Sequence, residues 1–204
     1  MKQKNIRLGR LLIDLYALNK IMDYSFNLYN KNSTAGLTLA LNNILKDATY
    51  PPIFLCVGSD LTVGDSLGPL VGEKLTNIFA QGGVFVYGTL KKPITAKEIK
   101  YVANFLKSTH PNSPVVAIDA AVGNQGEIGT IKLSRSSLRP GSGANKKLGK
   151  VGDVSLIGIV AERSLFNSAL FSATRLNAVN KMADVIADAV FSYLSNSNQI
   201  SCGA

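Results

Sequence analysis

Ile53-Phe54-Leu55-Cys56-Val57 leads directly into Gly58-Ser59-Asp60-Leu61-Thr62-Val63-Gly64-Asp65-Ser66-Leu67-Gly68-Pro69. Pro51 and Pro52 break the chain before this stretch, and five apolar residues bounded by breakers read as a buried strand. Gly58 to Asp65 reads as a loop. Leu67, Val71, Leu75 and Ile78 then recur at helical spacing, so a helix follows. Strand, loop, helix is the opening of a parallel α/β unit, and the rest of the chain repeats it.

Upstream, Leu37, Leu41, Ile44 and Leu45 mark a helix. Downstream, Val84–Tyr87 is a second strand, and Thr95 with Glu98 reads as a capping box opening a helix through about Lys107. Pro114 precedes a third strand at Val115–Ile118. Ile128–Leu133 alternates as a less buried strand does, and Val154–Val160 is another apolar strand. Leu176, Val179, Ala183, Ile186 and Val190 share one face of a closing helix. Short apolar strands alternating with amphipathic helices predict an α/β fold of three layers, with a mostly parallel sheet covered on both faces. The expected organisation is an N-terminal appendage at 1–34, a single domain at 35–195 and a polar tail at 196–204. Leu11, Leu12, Leu15, Leu18 and Ile21 give the appendage a helical pattern, and Asn30 to Ser33 read as a polar break.

Composition narrows the chemistry. The 204 residues are 46% hydrophobic and 17% charged, which suits a globular domain and not a disordered chain. Two cysteines, Cys56 and Cys202, make no disulfide framework, and with the single histidine they make no structural zinc cluster. Reduced thiols and the lack of a secretory pattern predict a cytoplasmic protein. No apolar run reaches the roughly 20 residues of a membrane span, so no membrane partner is expected. The net charge is +9, but the basic residues are spread along the chain, and no direct nucleic-acid contact is expected.

Ligands of such sheets gather beyond the carboxyl ends of the strands, so loops that follow strands form the functional edge. Two acids stand there. Asp65 lies in the loop after the first apolar strand, and Asp119 ends Val115-Val116-Ala117-Ile118. Two adjacent carboxylates cannot both ionise cheaply, so they tend to share a proton and can then serve as base and acid in turn. Each also has an ordinary reading, Asp65 as a helix cap and Asp119 as a partner of its own turn's amides. Asp60 reads as a loop or accessory residue. Arg139-Pro140-Gly141-Ser142-Gly143-Ala144-Asn145-Lys146-Lys147 is either a connecting loop or a cradle for a substrate backbone or anion. His110 follows a helix and precedes a strand, which puts it on the opposite edge as a turn residue and argues against a Ser-His-Asp triad. Cys56, inside an apolar strand, reads as a buried small hydrophobe.

These motifs resemble the YyaC family of sporulation proteins, which is similar to the germination protease of spore formers and to hydrogenase maturation proteases. Asp65-Ser66-Leu67-Gly68-Pro69 matches the germination protease's Asp-Ala-Leu-Gly-Pro, with Ser59 where that protein has Asn. Ala117-Ile118-Asp119-Ala120 matches its Ala-Val-Asp-Ala, and Pro140-Gly141-Ser142-Gly143 with Lys146 and Lys147 matches its glycine loop. The resemblance implies a phosphorylase/hydrolase-like α/β fold and peptide-bond hydrolysis by Asp65 and Asp119. It implies substrate contacts from Gly58, Ser59, Asp60, Gly64, Gly141, Ser142, Gly143 and Lys146. The implied partner is a peptide or protein, small acid-soluble spore proteins among them, with homo-oligomerisation open. No cofactor or metal is expected, because the nickel-sensing histidine of the maturation proteases has no counterpart on the edge of Asp65. Arg139 stands where the germination protease has a histidine. The alternative is a non-catalytic sporulation factor that binds a peptide or anion in the same cleft.

Overall fold

The structure, a computed structural model, describes residues 23–140, 149–163 and 174–196. Among these, one sheet holds β1 (Asp23–Asn27), β2 (Ile53–Cys56), β3 (Val86–Tyr87), β4 (Val115–Gly123), β5 (Thr130–Ser134) and β6 (Val154–Glu162). It is covered by α1 (Ser33–Leu45), α2 (Leu67–Ile78), α3 (Ile99–Thr109) and α4 (Leu176–Asn196). The spatial order is β1-β5-β6-β4-β2-β3. β3, β2, β4 and β6 run parallel, while β5 and β1 add antiparallel to one margin. The fold is therefore the expected α/β class with a mixed six-stranded sheet.

Each central strand is apolar throughout because both of its faces are covered. In β2, Phe54 and Cys56 point into the layer of α1, α2 and α4, with Leu41, Val71 and Ile186. Ile53 and Leu55 point the other way, toward Ile99, Val102 and Leu106 of α3. In β4, Val116, Ile118, Ala120 and Val122 share the first layer and Ala117 the second. The α3 layer also receives Leu138 and Val151, which pair with each other by an isolated bridge. No helix of the described residues is long and apolar enough to cross a membrane.

Three expectations are corrected. Residues 23–34 are not appendage, because β1 pairs with β5 from Asp23↔Ser134 to Asn27↔Thr130 and the polar break at Asn30–Ser33 is the turn into α1. Tyr24 and Phe26 alternate onto the core, a period-2 pattern masked by the leucine spacing that precedes it. The expected helix at 11–21 lies outside the described residues. The third strand does not stop at Ile118 but pairs with β6 as far as Gly123, across an irregularity at Ala121/Val122. Thr95 and Glu98 do bond, the Thr95 N–H donating to Glu98 Oε2 at 2.9 Å, but they close the turn before the helix, and α3 starts at Ile99.

α2 begins where β2 ends, and the two backbones nearly touch. A Cβ on Gly68 would lie 2.0 Å from the Val57 carbonyl oxygen, a backbone atom that cannot swing aside. We expect Gly68→Ala to cost roughly 2–4 kcal/mol of stability. Urea unfolding followed by circular dichroism measures it, and a loss under about 0.5 kcal/mol would mean that this close approach carries little of the fold.

Candidate active site

The last rung between β2 and β4 pairs Cys56 with Ile118, and the Val57 N–H then donates to the Ile118 carbonyl at 2.7 Å. Asp119 is the next residue along β4. It sits in mid-strand, paired with Ile157 of β6 on one side, at the level where β2 has already ended on the other. β3 lies beyond β2 in one direction and β4 in the other, so the chain reverses its lateral course here. That is where an α/β sheet opens a crevice at its carboxyl edge. Strand alternation sends the Asp119 side chain to the face of Ala117, the α3 side.

The second acid comes from the loop. Gly58 turns the chain with φ at 140°, and a Cβ there would meet the Asp65 carbonyl oxygen at 2.1 Å. The Ser59 N–H donates to that same carbonyl at 3.0 Å, closing the loop from 58 to 65 on itself. Val63–Asp65 form a short 3-10 turn, and Ser66 precedes α2 with its hydroxyl donating to the Val63 carbonyl at 2.7 Å. The cap position of α2 is Ser66 and no side chain caps the helix, so Asp65 is not its capping residue.

The two carboxyls are close enough to feel each other. Asp119 is 7% exposed, and its pKa is raised well above the ordinary carboxylate range, first by burial and then by the charge of Asp65. The Ala120 N–H donates to Asp119 Oδ1 at 2.8 Å and offsets part of this. The ordinary reading of Asp119 as an acceptor for its own turn therefore holds for one oxygen only. Burial likewise pushes Asp65 up to about 6, against the opposing pull of the Ser59 amide. The two carboxyls form a coupled pair whose full ionisation is opposed by burial and by their mutual charge. One member can accept a proton while the other donates one.

The remaining residues expected at the site divide. Ser59 is buried, its hydroxyl accepting the Leu61 N–H at 3.2 Å, and Gly58 and Gly64 are buried in the turn that shapes the loop. Asp60 and Leu61 are exposed at its rim, Leu61 by 89%. Gly141, Ser142, Gly143 and Lys146 lie outside the described residues. The Leu138–Val151 bridge that starts their loop is fixed on the α3 side. His110 ends α3, with Nε2 2.7 Å from the Tyr87 hydroxyl, on the edge away from the acids. Cys56 is a free, buried thiol whose pKa burial drives upward. Among the described residues no cluster of His, Cys, Asp and Glu has the make-up of a metal site. The sequence reading did not include Ala121 to Gly123, which extend β4 past Asp119. The unbroken Ala120-Ala121-Val122 run was the available signal.

A family model described as "Protein of unknown function (DUF1256)" matches residues 25–189. The "Uncharacterized protein YyaC" of Bacillus subtilis (strain 168) is 37% identical over 151 residues, which is 74% of this chain and 73% of that one. A crystal structure of the [NiFe] hydrogenase maturation protease HycI from Thermococcus kodakarensis KOD1 is similar at a TM-score of 0.45 and 18% identity, over 74% of this chain and 98% of that one.

A carboxyl whose pKa is raised by folding gives its full stability below its unfolded value of about 3.9, and the protein loses stability as pH climbs through the folded value. For Asp65 that window runs from about pH 4 to about 6 and levels off above it. We expect Asp65→Asn to raise Tm by a few degrees, roughly 2–6 °C, at pH 8 and by nothing resolvable at pH 3.5. Thermal unfolding at both values checks it, and a gain of equal size at the two would remove the charge explanation.

Proposed function

We propose that this chain, which belongs to the DUF1256 family, hydrolyses peptide bonds with Asp65 and Asp119 as an aspartic-type pair. One observation carries the reading. The loop carboxyl of Asp65 and the strand carboxyl of Asp119 lie close enough, at the edge where the strand order reverses, for the charge of Asp65 to raise the pKa of Asp119. Such pairs are costly to build, and stability alone gives no reason to keep one.

The chemistry follows from a shared proton. The ionised carboxylate takes a proton from a water held between the acids, and the water oxygen forms a bond to the peptide carbonyl carbon. The protonated carboxyl hydrogen-bonds the carbonyl oxygen as negative charge develops there. The tetrahedral intermediate collapses with rupture of the C–N bond, and the amide nitrogen leaves with a proton from the pair. A carboxylic acid and an amine depart, and the pair again holds one proton. Gly58, Ser59, Asp60 and Gly64 shape the side of the crevice from which a substrate backbone enters. The reading assigns no cofactor or metal to any step.

The setting is part of the same proposal and is supported by the motif resemblance. The protein acts in the cytoplasm of a sporulating cell on a polypeptide, with small acid-soluble spore proteins as the first substrates to try.

Incubation with a panel of unfolded proteins in 18O-labelled water, read by mass spectrometry, tests it. New carboxyl termini should carry the label. Asp65→Asn and Asp119→Asn should each slow cleavage about a hundredfold or more. The rate should rise as pH climbs through about 6, where the pair gives up its first proton, and fall again as the second leaves. Cleavage unchanged in both variants would end the mechanism. Peptide retained by the wild type without any cleavage across the pH range would make the protein a binding factor instead.

A further inference from the structure

The two helical layers differ in charge. On the face of α1, α2 and α4 the helices carry Glu73, Asp184 and Asp188 against Lys74 and Lys181, with Lys74 tied to Asp184 at 2.7 Å. The chain between Val84 and Pro114, which holds α3 of the other layer, carries Lys91, Lys92, Lys97, Lys100 and Lys107 against Glu98 alone. All five lysines are exposed, and none forms a salt bridge among the described residues. The Glu98 carboxylate is turned back onto Thr95, whose N–H donates to it at 2.9 Å. Five lysines against one carboxylate leave this stretch with a net positive charge.

Aromatic rings stand among these charges. Ile99, Val102 and Leu106 bury one side of α3 and leave Lys100, Tyr101, Asn104, Phe105 and Lys107 outward. Tyr101 is 75% exposed, and Phe85, beside the helix at the β3 margin, is 58% exposed. The rings form a chain of contacts, Phe85 to His110 at 4.4 Å, His110 to Tyr87 at 5.9 Å and Tyr87 to Phe105 at 5.9 Å. The surface continues into a groove of about 440 Å3 lined by Lys107, His110, Ser113, Lys150 and Asp153. Among the described residues that line it, the one carboxylate, Asp153, already accepts the Val115 N–H through Oδ2 at 2.9 Å.

We infer that the outer face of α3 is a binding surface for single-stranded nucleic acid. Its exposed lysines answer phosphates, and its exposed rings offer platforms for bases that are free of a duplex. An acidic polypeptide would use the lysines but would gain little from the rings. A duplex would keep its bases stacked inside and leave the rings unused. The surface shares no residue with Asp65 or Asp119, so it stands or falls independently of the hydrolytic reading.

Fluorescence anisotropy with a 15-nucleotide oligo-dT in 50 mM salt tests it on the full chain. Binding should weaken with salt, and Lys100→Ala with Lys107→Ala should reduce the slope of log K against log salt by about 1.4. Tyr101→Ala, at an exposed position that leaves folding intact, should weaken binding about fivefold or more. Lys181→Ala on the opposite layer should change nothing. Absence of binding, equal binding of a polyglutamate peptide or a duplex, or binding indifferent to Tyr101→Ala together with Phe85→Ala would each overturn the inference.

Discussion

The end of β2 and the start of α2 meet backbone to backbone, and the rest of the site depends on that meeting. At Gly58 and Gly68 a side chain would collide with a main-chain oxygen, of Asp65 in one case and Val57 in the other, as it would at Gly72 and Gly88 nearby. The small size of Gly58 and Gly68 draws the loop between them into a closed ring, held by the bond from the Ser59 amide to the Asp65 carbonyl. A looser turn would carry Asp65 into solvent, where its charge would be screened and its pKa ordinary. The spacing of the Asp-Ser-Leu-Gly-Pro stretch is thus a packing requirement as much as a chemical one.

The second acid is placed by register. Because Cys56 pairs with Ile118, the residue that follows on β4 emerges one step beyond the end of its neighbour strand. Packing around that step removes most water from Asp119, and the nearby charge of Asp65 adds to the effect. A strand interior is an expensive place for a carboxyl, and the partial relief from the Ala120 amide does not cancel the expense. Neither cause by itself would distinguish a functional group from a structural one. Their concurrence on Asp119 is what makes it a candidate.

Much of this was legible in the residues. Buried strands such as Ile53–Cys56 announce themselves by continuous apolarity, and the rule that loops after strands form one edge was enough to bring Asp65 and Asp119 together. Where the reading failed, a local signal was outvoted by pairing. An aspartate is a poor strand former, so Asp119 read as a terminus, yet β6 supplies partners that carry β4 on to Gly123. Asp23–Asn27 has polar residues at alternate positions and gains its stability from β5, which lies far away in sequence. Phe105 and Lys107 are separated along the chain from Lys100 and Tyr101 by residues that include the inward Val102 and Leu106, so the adjacency of the four exists only on the surface of the helix.

The two lateral margins of the sheet are finished differently. On one, β1 lies along the whole of β5. On the other, β3 pairs with β2 at Val86 and Tyr87 only. A margin two residues long exposes too few main-chain donors and acceptors to template a foreign strand. At that margin a chain with interior strands as oily as Ile53–Cys56 is thereby spared edge-to-edge polymerisation, and it gains that protection from brevity rather than from charge.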